Sequence, residues 1–101
     1  MVAPRHLRDF RYEPEAQKAI DDACEIWLRT DDQLNLLEWI LLRDPEEGKA
    51  LTESGLTRSI TVQGAASISM PTVTVVYEIE PHRICIKAAK FDEAKARPKT
   101  H

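Results

Sequence analysis

The chain has 101 residues, of which 43% are hydrophobic and 31% charged, with a net charge of -3 and a pI near 5.6. That is the profile of one ordinary globular domain, long enough to bury a core without disulfide or metal staples. It excludes a basic whole-protein field of the kind that drives nonspecific nucleic-acid binding. No apolar run approaches the roughly 18 residues of a membrane span, and the start carries no secretory signal, so a cytoplasmic protein without membrane contact is expected.

The stretch from His6 to Tyr12 reads as a first strand whose arginines suit a sheet edge. Pro14 follows, at a position that a first helical turn tolerates, and Glu15 lies near the positive end of the helix dipole. Ala16, Ile20, Ala23 and Trp27 then recur at helical spacing, which predicts a helix over about residues 14–28. Thr30 and Gln33 have the form of a capping box, in which each side chain satisfies a backbone amide at a helix start. A second helix over about residues 30–43 follows, ending ahead of Asp44, Pro45 and Gly48, and pairing with the first as an antiparallel hairpin.

Leu34, Leu37 and Leu41 share one stripe of that second helix and are expected to face the sheet. Leu36, Trp39, Ile40 and Leu42 widen the apolar surface beyond the stripe. Leu36, Trp39 and Ile40 are therefore the candidate partner-binding residues, with burial in the core as the competing explanation.

Residues 44–56 read as a connecting loop, and residues 57–63 as a strand with Ile60 and Val62 inward. The small-residue segment 64–71 is expected to be a mobile loop. The clearest strand is 72–80, bracketed by Pro71 and Pro81. Its alternation puts Val73, Val75, Tyr77 and Ile79 on one face and Thr74, Val76, Glu78 and Glu80 on the other. A two-residue turn at Pro81 and His82 then sets Glu80 against Arg83, Ile79 against Ile84, Tyr77 against Ile86 and Val75 against Ala88. On the outer face the same register pairs Glu80 with Arg83 and brings Lys87 diagonal to Glu78. From Phe91 onward the chain reads as a charged, solvated tail, which leaves one domain over residues 1–91 and a tail over 92–101.

Cys24 and Cys85 are expected to be separate thiols. His6, His82 and His101 lack metal-ligand spacing, and no glycine-rich phosphate loop or nucleophile elbow is present, so neither metal nor cofactor is expected. Tyr77 could move a proton, but its parity assigns it to the core.

Three local patterns agree with one known family. Phe10-Arg11-Tyr12-Glu13-Pro14-Glu15-Ala16 looks like a strand running into a Pro-Glu-Ala helix start. Asp44-Pro45-Glu46-Glu47-Gly48 looks like a second-helix exit, and Val73-Thr74-Val75-Val76-Tyr77-Glu78-Ile79-Glu80 looks like a Tyr-Arg-Val-x-Tyr-x-Ile-Asp strand. With the element order, these patterns over about residues 7–90 resemble the RelE/ParE superfamily of bacterial type II toxin-antitoxin systems. The resemblance implies an α+β fold: an edge strand, a two-helix antiparallel hairpin and a three-stranded antiparallel sheet, in β-α-α-β-β-β order.

It also implies a toxin that takes part in stress responses and is held by a cognate antitoxin protein. Members that are ribonucleases cut messenger RNA on the ribosome, using cations to hold phosphate and a tyrosine or histidine near the C-terminus to move a proton. Here Thr74 stands where the strand arginine is expected, and Ala88-Ala89-Lys90-Phe91-Asp92-Glu93 replaces the His-Arg-x-x-x-Tyr ending. The resemblance thus implies a toxin that acts mainly by binding protein, the antitoxin and a target of the gyrase type. The alternatives are an endoribonuclease with Arg58, Lys49 and Lys90 as phosphate contacts, and an inactive scaffold that forms a homodimer through its helices.

Overall fold

The computed structural model describes residues 9–95. Its elements are β1 (Asp9–Tyr12), α1 (Pro14–Ile26), α2 (Thr30–Arg43), β2 (Lys49–Ala50), β3 (Thr57–Val62), a 3-10 turn (Ala66–Ile68), β4 (Thr72–Glu80) and β5 (Arg83–Asp92). The fold is α+β: two helices and a five-stranded mixed sheet in the order β1-β5-β4-β3-β2. The three expected antiparallel strands are present as β3, β4 and β5. The sheet is wider than expected because β1 adds in parallel to β5 and the two-residue β2 adds antiparallel to β3. Of the expected first strand, residues 6–8 lie outside the described residues, as do residues 96–101 of the expected tail.

One face of the sheet is the core. Val73, Val75 and Tyr77 of β4 are at most 1% exposed and lie beside Ile84 and Ile86 of β5 and Ile60 and Val62 of β3. Ala16 and Ile20 of α1 and the stripe Leu34, Leu37 and Leu41 of α2 join the same cluster. Each buried leucine contributes on the order of 2 kcal/mol, which explains why this stripe defines the seated side of α2. Phe10 and Tyr12, on alternate positions of β1, pack against the cluster from the far edge. Tyr12 donates a short hydrogen bond to the Glu38 carboxylate, which fastens the edge strand to α2.

Several expectations are corrected by tertiary contacts. Helix α1 ends at Ile26, and Trp27 is its extended C-cap. The capping box does not form: the N-cap of α2 is Arg29, without a side-chain cap. The Thr30 hydroxyl instead points back to the carbonyls of Ala23 (3.1 Å) and Trp27 (3.0 Å), and Gln33 is wholly buried. The Gln33 amide nitrogen lies within hydrogen-bonding distance of the carbonyls of Val62 (2.9 Å), Gln63 (3.1 Å) and Pro71 (2.9 Å). It ties the helix to the ends of β3 and β4. Its own oxygen is buried with no protein partner among the described residues.

The segment 64–71 carries local structure. It holds the 3-10 turn and a bridge between Ala65 and Met70. Ser69, in a left-handed conformation at φ 57°, accepts hydrogen bonds from the backbone amides of Leu28 and Arg29, both at 3.0 Å. Gly64 is required at its entry, because a Cβ there would lie 2.2 Å from the Met70 carbonyl oxygen.

The β4–β5 register follows the expected pairs from Glu80 against Arg83 to Tyr77 against Ile86. It then slips by one residue at a β-bulge, so that Val76 meets Ala88 and Val75 meets Ala89. Lys87 is the extra residue. Beyond the bulge Ala89 and Phe91 turn to the core side and Lys90 to the open side. Phe91, expected to begin a solvated tail, lies in β5 and packs on the core, and Ala94 is 6% exposed.

Candidate protein-docking site

Three of the residues singled out from sequence are cations, and the sheet separates them. Arg58 pairs with Tyr77 and shares its core-side face. Lys49 pairs with Ser59, opposite Val76, and Lys90 pairs with Thr74, so both lysines lie on the open face. Lys90 is 3.9 Å from the Asp92 carboxylate. The guanidinium of Arg58 is spent on backbone: Nε donates to the Gly55 carbonyl (2.7 Å), and Nη1 to those of Glu46 (3.0 Å) and Gly48 (2.8 Å). Its fork holds together the loops on either side of β2. These three residues do not converge on a common point where a phosphate would sit.

The rest of the open face is balanced in charge. Glu80 meets Arg83 at 2.6 Å and Glu78 meets Lys87 at 3.4 Å, the two pairs expected from the hairpin. The Arg83 guanidinium holds the Glu80 carboxyl below its ordinary range.

Tyr77 completes the support beneath Arg58. Its hydroxyl donates to the Pro45 carbonyl (2.6 Å) and accepts from the Gly48 amide (3.0 Å). A Cβ on Gly48 would lie 2.6 Å from the Ser59 carbonyl oxygen and 2.7 Å from this hydroxyl, so only glycine lets the chain pass so close. Burial raises the phenol pKa, while the Gly48 amide and Arg58 oppose the rise. A buried phenol with both hydrogen-bonding roles filled by backbone is a staple and is not poised to shuttle a proton.

The candidate partner residues of α2 are found at the surface. Leu36 is 40% and Trp39 52% exposed, while Ile40 is half-buried and touches the core. Leu36, Trp39 and Ile40 are neighbours at helical spacing. One turn further, the Arg43 guanidinium lies 4.7 Å from the Trp39 ring centroid. A cation stacked there restrains the ring and keeps it displayed. The patch continues into a groove of about 750 Å³ between the end of α2, the Asp44–Lys49 connection and β3. Ile40, Ile60 and Val62 supply its apolar lining, Arg43 and Lys49 its cations, and Asp44 and Glu47 its carboxylates. Sequence pattern reached Trp39 and Ile40, but the groove depends on β2 being only two residues long, which no periodicity signals.

No helix among the described residues is long and apolar enough to cross a membrane. A comparison of the sequence with protein-family models and with curated proteins finds no match.

Proposed function

We propose that this protein is a toxin-like component of a type II toxin-antitoxin pair that works by binding protein, and that the α2 surface around Leu36, Trp39 and Ile40 is where its partner sits. The observation that carries this reading is the displayed Trp39, held under Arg43, with Ile40 and Arg43 leading on into a groove of mixed polar and apolar lining. Large aromatic and arginine side chains at the centre of an apolar patch are the usual anchors of protein interfaces. The α+β element order and the strand motif carry the link to toxins, through the resemblance described above. The endoribonuclease alternative is weaker, because Arg58 is engaged with carbonyls on the face of the sheet opposite Lys49 and Lys90.

Expression in a bacterium in the absence of an antitoxin tests the proposal. Growth should arrest, and Trp39→Ala, produced at equal soluble level, should relieve the arrest. Unimpaired growth with soluble parent protein would refute the toxin assignment. Codon-linked cuts in cellular messages, abolished by Lys90→Ala, would move the assignment to the ribonuclease alternative.

A further inference from the structure

Strand β1 stands at one end of the strand order, and among the described residues nothing pairs with its outer side. The amides of Asp9 and Glu13 point inward, to the carbonyls of His82 (3.3 Å) and Ile86 (2.9 Å) on the β5 side. Directions alternate along an extended strand, so Arg11 also points to β5, and the N–H and C=O of Phe10 and Tyr12 point out of the sheet edge. Side chains alternate between the two faces. The half-buried Phe10 and Tyr12 lie on the core side, and the exposed Asp9 and Arg11 on the open side. Neither Asp9 nor Arg11 takes part in an ion pair among the described residues. Outward backbone donors and acceptors, flanked by two opposite charges, make an edge that can complement itself.

We infer that β1 pairs antiparallel with β1 of a second copy of this chain, about a two-fold axis at Phe10. Such an interface is isologous, so every contact occurs twice. Outward backbone groups meet each other only in registers centred on a residue. Centring on Asp9 or on Arg11 sets that residue against its own like charge at the closest spacing of an antiparallel pair. Centring on Tyr12 opposes Phe10 to Pro14, which has no N–H to give. Centring on Phe10 has neither fault. Phe10 exchanges both backbone hydrogen bonds with its counterpart, and on each side of the axis Asp9 stands opposite Arg11 of the other copy. The two Phe10 rings, each already packed on its own core, then meet on the core side. The helices leave room for this. Helix α1 packs chiefly on β5, so its two copies lie three strand spacings apart, roughly 14 Å, which is more than helices in contact require. The groove beside β2 and β3 lies at the other end of the strand order and stays open in the pair. Pairing at β1 is independent of the toxin assignment.

Sedimentation equilibrium of the full-length chain over rising concentration should show a reversible monomer–dimer equilibrium. Hydrogen exchange at the Phe10 amide should slow as the dimer forms. Asp9→Arg and Arg11→Asp, both at exposed positions, each turn two attractive pairs into two repulsive ones, and each should weaken association at least about tenfold. Mixed in equal amounts, the two single variants should associate again, because every arginine then faces an aspartate. The double variant should do so on its own.

A chain that stays monomeric up to about 1 mM overturns the pairing. So does association that neither single variant weakens, or that the mixture fails to restore when both variants are folded by circular dichroism. Should either variant unfold, unchanged exchange at the Phe10 amide in a dimer of the parent chain overturns the pairing by itself and moves self-association to another surface.

Discussion

Gln33 and Arg58 do the same kind of work in opposite settings. Each reaches three backbone carbonyls, Gln33 from a helix into the buried end of the sheet and Arg58 from the sheet edge out to two loops. Gln33 is wholly buried, and the Val62 and Pro71 carbonyls it leaves would be stranded away from water, whereas Arg58 is half-buried and one of its acceptors is exposed. The comparison teaches that the number of hydrogen bonds matters less than what replaces them when they are lost.

The largest effect should therefore come from Gln33→Leu, which keeps approximate volume and removes the donors. We expect a loss of about 3–5 kcal/mol in urea denaturation. A loss comparable to that of Arg58→Ala would break the contrast. Arg58→Ala should cost about 1–3 kcal/mol, concentrated as faster hydrogen exchange in residues 44–48 and 52–56. Arg58→Lys should recover little of this, because a single ammonium cannot reproduce the planar fork. Tyr77→Phe, which frees the Pro45 carbonyl and the Gly48 amide on the loop that Arg58 also clamps, should cost about 1–2 kcal/mol.

A pH titration sharpens the same contrast between buried and open groups. The Cys85 thiol is raised from its ordinary 9.0 by burial first, then by the hydrogen bond it donates to the Glu13 carboxylate at 3.2 Å and by that charge. Tyr77 is raised from 10.0, mainly by burial. Both folded-state values lie above the unfolded ones, so their contribution to stability is complete below about pH 8.5 and declines as pH climbs through the thiol and phenol ranges. Cys85→Ala should flatten the onset of that decline in thermal melts, and Tyr77→Phe its later part. The smallest effect belongs to Lys87→Ala: its ion pair with Glu78 is exposed, and its loss should change stability by less than about 0.5 kcal/mol.

Where burial follows period, the sequence was a good guide. Ala16, Ile20 and Ala23, the stripe Leu34, Leu37 and Leu41, and Val73, Val75 and Tyr77 of β4 are all buried as the 3.6- and 2-residue periods require. Thr30 and Gln33 satisfy the pattern of a local cap, yet Gln33 also continues the buried stripe at positions 33, 37 and 41. A polar residue on such a stripe must find partners across the core, and that was the available signal. The parity conflict in β5 was another: strict alternation would send Lys90 inward and Phe91 out, and a bulge removes both faults. The placement of Arg58 on the side of Ile60 was legible by alternation, but its carbonyl partners were not, since they lie on loops whose course depends on Gly48 and Gly55. Leu36 and Trp39 were legible as excess apolar surface. The groove beside them was hidden, because a two-residue strand leaves no pattern in the sequence.

The bulge at Lys87 also determines which changes of length this chain tolerates. Lys87 is the one residue of β5 without an opposite number on β4, so it acts as a spacer between two halves of the strand that are out of phase. Deleting it would restore continuous alternation with every other pair unchanged, Thr74 still against Lys90 and Val73 still against Phe91, so the loss would fall on the local twist of the bulge and on the ion pair with Glu78. Chains of this architecture should accept nearly any polar residue at this place in the strand, and should also accept its removal.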